Sequence, residues 1–179
     1  MSPSRDAQEA LANAFTDAGF TTGRATIAEH DVMVARRSDF RLRWLATRIH
    51  TFIIVFSVDE LNPDGAAKLT RAAQDYAIEH KGGVPHGLQT GTATIPVFLS
   101  PHANDATESW FAQAPKLRFA ALGFPVLANL EAETVTYFTG RWKVGGIYKA
   151  FIVGIVSNTI APALATKPLA QEARANAGT

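Results

Sequence analysis

Cysteine is missing from the chain altogether, which removes disulfides, thiolate catalysis, Cys-ligated zinc and iron–sulfur clusters in one step. Net charge is nearly missing too. Lys and Arg number 17 against 16 Asp and Glu, leaving +1 over 179 residues, so any pull on nucleic acid or an anionic membrane has to come from a local patch. The opening segment MSPSRDAQEALANAF has no apolar run framed by basic residues and a small-residue cleavage site, and the expected compartment is the cytoplasm. The longest apolar stretch, VGGIYKAFIVGIVSNTIAPALA at 144–165, carries Lys149, Ser157, Asn158, Thr159 and Pro162. Those positions are costly in lipid, so the stretch reads as a core-packed helix and no membrane partner is expected. Internal repeats, low-complexity segments and shifts in composition are also absent. The expectation is one α/β domain over 1–165, followed by a frayed tail at 166–179.

What is present is a chain with 47% hydrophobic and 18% charged residues, enough apolar side chain to build a core. Its most informative segment is Arg36–Val58. Arg36, Arg37, Arg41, Arg43 and Arg48 fall within thirteen residues, beside the run TFIIVFSV at 51–58. Unbroken apolarity with high strand propensity predicts a central strand buried on both faces, so the arginines form a basic edge next to a core. Around it the pattern predicts a helix over 5–18 capped by Ser4, strands at 20–27 and 31–36, and a helix from Asn62–Pro63 to His80 that stops at Gly82–Gly83. A strand follows at 92–99, where Pro96 implies an edge or a local irregularity. Then come a short helix at 105–113 capped by Asn104, strands at 119–130 and 134–139, and a last helix ending before Pro162. The order α-β-β-β-α-β-α-β-β-α defines an α/β (or α+β) fold, a mixed sheet flanked by helices.

Over about 5–113 this order resembles the core of restriction-endonuclease-like proteins of the Mrr-type branch. The matching pieces are a helix closed by Gly19–Phe20, the strand start Asp31 in DVMVARR, and the later segment GTATIPVFLSPHANDATESWF. The resemblance implies Asp31 as a metal-binding, catalytic carboxylate, with Mg²⁺ as cofactor under that reading alone, and a following strand carrying Asp/Glu-x-Lys. Where that motif is expected the chain has His50-Thr51-Phe52, and its Glu-x-Lys, Glu79-His80-Lys81, falls at a predicted helix end. The Ala- and Arg-rich composition also resembles that of uncharacterised bacterial families, a likeness that implies no function.

Other chemistry is sparse. His30, His50, His80, His86 and His102 show no His-Glu-x-x-His spacing, and read as satisfied or exposed rather than as metal ligands. The glycine-rich 81–91 lacks the phosphate-loop pattern and enters a strand, not a helix. The five arginines, with Phe40 and Trp44 nearby, have the composition to neutralise phosphates and stack a base. Trp142, Phe151 and Ile155 are the candidate interface residues, the last two as a helix seam between copies. The leading expectation is therefore a binding protein without a catalytic centre or cofactor, whose partner is another protein or a second copy. The alternative is a nuclease-like or nucleic-acid-binding protein that uses the arginine edge.

Overall fold

The computed structural model describes residues 2–41, 47–82, 90–115, 121–141 and 146–165. Helix α1 (Pro3–Asp17) leads into an antiparallel meander of β1 (Thr21–Ile27), β2 (His30–Arg41) and β3 (Thr47–Ser57). Helix α2 (Pro63–His80) crosses over to β4 (Thr90–Ser100), which lies parallel to β3. Helix α3 (Asp105–Phe111) precedes β5 (Ala121–Gly123), β6 (Val126–Asn129) and β7 (Thr134–Thr136). The chain then forms α4 (Gly146–Ile155), a π-helical turn (Val156–Ile160) and α5 (Ala161–Leu164). The seven strands make one mixed sheet in the order β1-β2-β3-β4-β6-β7, with β5 also on β4. This is the α/β fold with a helix-flanked mixed sheet that the sequence predicts.

Each face of the sheet has its own apolar cluster. Met33, Ala35, Ile53 and Val55 meet Leu11 and Phe15 of α1 and Ile152, Val156 and Ile160 of the C-terminal helical segment. Val34, Phe52, Ile54 and Phe56 meet Ala66, Leu69, Ala73 and Ala77 of α2 and Phe111 of α3. The β3 residues Phe52 to Phe56 are at most 2% exposed, which is why that strand shows no alternation in its sequence.

Local chemistry sets the element ends. Asn62 accepts from the Gly65 amide at 2.8 Å and Asn104 from the Thr107 amide at 2.9 Å, two side-chain caps that start α2 and α3. At α1 the cap position is Ser2, and it makes no side-chain cap bond. Ser4 lies inside the first turn, because Pro3 at the first helical position already fixes the backbone there. Gly19 leaves the helix at φ +80, the left-handed conformation glycine adopts without penalty.

Two prolines mark departures from regular structure, one expected and one not. Pro96 sits in the central strand β4, beside Ile54 of β3. The Thr94 carbonyl accepts from the Phe124 amide at 2.8 Å, so Pro96, two residues on, turns its backbone to that same side. There β4 passes from β5, which it pairs over 92–94, to β6, which it pairs over 97–100. The residue that has no N–H to give thus falls at the change of partner between β5 and β6. The expected strand over 119–130 is accordingly two short strands separated by Phe124–Pro125. Pro162 does not end the last helix as expected. It follows the π turn, where the Ala161 amide reaches the Val156 carbonyl; in a regular α-helix its ring would press on the carbonyl four residues back.

Candidate functional site: a cationic cleft at the end of the sheet

On the α2 face of the sheet, side chains alternate outward from the core. Arg36 of β2 pairs with Phe52 of β3, Ser38 with His50, and Phe40 with Arg48. These positions share a face because opposed residues of an antiparallel pair point the same way. Helix α2 joins the parallel strands β3 and β4, so its C-terminal end returns over their starts and delivers His80 and Lys81 to the same place. The result is a cleft of about 360 Å³ floored by Phe52 and lined by Arg36, Arg48, His50, His80 and Lys81. Among the described residues no carboxylate lines it.

The charges in this cleft sense one another. Burial pushes the His50 imidazole below its ordinary pKa, and Lys81, Arg48 and Arg36 push it further in the same direction. The His80 ring is fixed by its Nδ1 at 2.8 Å from the Tyr76 carbonyl and by stacking on Tyr76 at 3.9 Å. The C-terminal end of α2 contributes about half a negative charge. That field acts on the Lys81 charge at the helix end, while the two arginines come from the sheet.

Arg37 also reaches the rim of the cleft, yet its guanidinium is committed elsewhere. Its Nη1 donates to the Ala18 carbonyl at 2.6 Å, its Nε to Asp39 at 2.9 Å, and it lies 4.4 Å from the centre of the Phe20 ring. It ties β2 to the end of α1. Arg41 closes β2 opposite Thr47, while Arg43, Trp44, His86 and Trp142 lie outside the described residues, as does the predicted tail at 166–179.

Asp31 stands apart from this cleft. It is exposed at the start of β2 and accepts from the Thr26 hydroxyl at 3.1 Å. The register of Met33 opposite Val55 sets the Asp31 end of β2 beside the Val55–Ser57 end of β3, not beside His50–Phe52, where the resemblance implies the second motif. That end offers Val55, Phe56 and Ser57, and Ser57 accepts from Gln8 Nε2 at 2.7 Å. Among the described residues no three His, Asp or Glu groups converge. A Mg²⁺ site needs several oxygen donors in fixed geometry, and the contacts shown at this end are Thr26 on Asp31 and Gln8 on Ser57.

The expected seam between copies is also used otherwise. Phe151 and Ile155 are 8% and 6% exposed and Ile160 is fully buried, all within the chain's own core. Among the described residues Phe40, at 54%, is the large apolar side chain that stands exposed. No described helix is long and apolar enough to cross a membrane.

Sequence reasoning finds the arginines but not their company. His80 and Lys81 lie more than thirty positions from Arg48, and no motif links them. The available signal is the crossover itself, since a helix between parallel strands has to end above their beginnings. No family model, no curated protein and no solved structure matches the chain.

Proposed function

We propose that the protein acts by binding, and that its ligand is a nucleic-acid strand whose phosphates enter the cleft between Arg36, Arg48, His50 and Lys81. One observation carries this reading: cationic side chains from β2, β3 and α2 converge on a single cleft that no carboxylate lines among the described residues. Like charges held together on a rigid frame cost stability unless an anion offsets them. Phe40 supports a strand over a free phosphate, because it is exposed and lies directly opposite Arg48, on the same face, where a base can stack on it. An acidic protein segment is the competing ligand, and it would use the same cations without needing Phe40.

The test is fluorescence anisotropy with a labelled single-stranded oligonucleotide, and polyaspartate as the control polyanion. The Arg36→Gln/Arg48→Gln variant is expected to weaken oligonucleotide binding by about tenfold or more, and Phe40→Ala by several-fold, since each stacked base is worth roughly 1–3 kcal/mol. Equal affinity for polyaspartate, with no effect of Phe40→Ala, moves the ligand to an acidic protein. Parent-like binding by the double variant ends the proposal.

A further inference from the structure

The opposite flank of α2 carries a second, unrelated cavity. It measures about 170 Å³ and lies beside the break between β5 and β6, close to the roughly 150 Å³ that accommodates a benzene ring in a protein core. Trp110 of α3, Pro115 and Pro125 give it flat apolar walls, while Thr70, Arg71 and Gln74 of α2 supply its polar side.

Gln74 is the unusual member. It is 4% exposed, on a stripe whose other buried residues are Ala66, Leu69, Ala73 and Ala77, a place where alanine or leucine would be cheaper. Its Nε2 and the Thr70 Oγ1 are both buried with no hydrogen-bond partner. The Gln74 side chain lies against β5. A Cβ at residue 123 would clash with that Nε2, so the amide packs directly over the glycine of β5 and a larger residue there would require the Gln74 side chain to move. Unpartnered buried donors lower stability and call for an explanation, and here they border a cavity that has a guanidinium in its wall and no carboxylate among its described lining residues.

We infer that this cavity binds a small planar organic acid of about benzoate size, its ring between Trp110 and the prolines and its carboxylate toward Arg71 and Gln74. Flat walls select the ring, and the surplus of donors selects the acid.

The experiment is a titration of the full chain with benzoate and with its neutral counterpart benzyl alcohol. The Gln74 side-chain amide and the Trp110 indole are followed by NMR. Benzoate should move both resonances and raise the melting temperature. Arg71→Gln should cut benzoate affinity by about tenfold, the loss of one charge-assisted contact, while leaving benzyl alcohol unaffected. The Arg36→Gln/Arg48→Gln variant should retain benzoate binding, which separates this cavity from the cationic cleft. Gln74 and Trp110 resonances that stay still while benzoate perturbs the cleft would overturn the inference, as would equal responses to the acid and the alcohol.

Discussion

Adjacent arginines on β2 have opposite fates, and the difference is one of facing. Arg36 points into the cleft, whereas Arg37 turns to the other face and is held by the Ala18 carbonyl, Asp39 and the Phe20 ring. Replacing Arg37 with Lys keeps the charge but loses the planar fork, and should lower stability by about 1–2 kcal/mol in urea titrations with little change in oligonucleotide affinity. If Arg37→Lys weakens binding as much as Arg36→Lys does, this division of roles is wrong. His50 gives a pH signature. Its folded-state pKa lies below the unfolded value, so the unfolded chain binds the extra proton, and this contribution to stability is lost as pH falls below about 6.5. An anion in the cleft favours the imidazolium, so the sign for binding is reversed. Oligonucleotide affinity should rise between about pH 7.5 and pH 6, with His50→Asn flattening the slope. Among the described residues, Arg36, Arg48, Lys81 and His80 are the other charged or titratable groups facing His50 in the cleft, with Arg37 at its rim.

At the scale of elements, the hairpin between β1 and β2 is built against local preference. Ile27 pairs with His30, leaving a two-residue loop of Ala28 and Glu29 at φ 48 and φ 68. Left-handed backbone costs roughly 1–2 kcal/mol at each such residue, and Asn-Gly is the pair that adopts it readily. Ala28→Asn with Glu29→Gly should therefore add about 1 kcal/mol, read as a higher urea midpoint at an unchanged m-value. A lower midpoint would mean that the Glu29 side chain makes a contact the loop depends on. Sequence signals at other element ends held. Asn62–Pro63 and Asn104 mark true helix starts, because a cap is a local device. Pro96 fits the local irregularity expected of it, the point where β4 changes partner from β5 to β6, whereas Pro162 misleads about the helix limit because a widened turn accommodates it.

For the whole molecule, a net charge of +1 provides no long-range field, so salt should affect binding only through the few phosphates the cleft can hold. Three to four contacts to a single strand correspond to a slope of about −2 to −3 in log affinity against log salt. A much steeper slope would place the binding surface elsewhere. The sequence by itself determined the buried central strand, the helix starts, the mixed α/β order and the basic character of the β2–β3 edge. Those are properties of residues within one or two turns or strand lengths of each other, where periodicity, capping and propensity act. Only the tertiary structure decided which arginine is structural, which cations share a cleft, that Asp31 stands apart from that cleft, and that Gln74 borders a cavity. These depend on strand register, on the facing of alternate residues and on the α2 crossover, which bring distant side chains together and leave no mark on the local sequence.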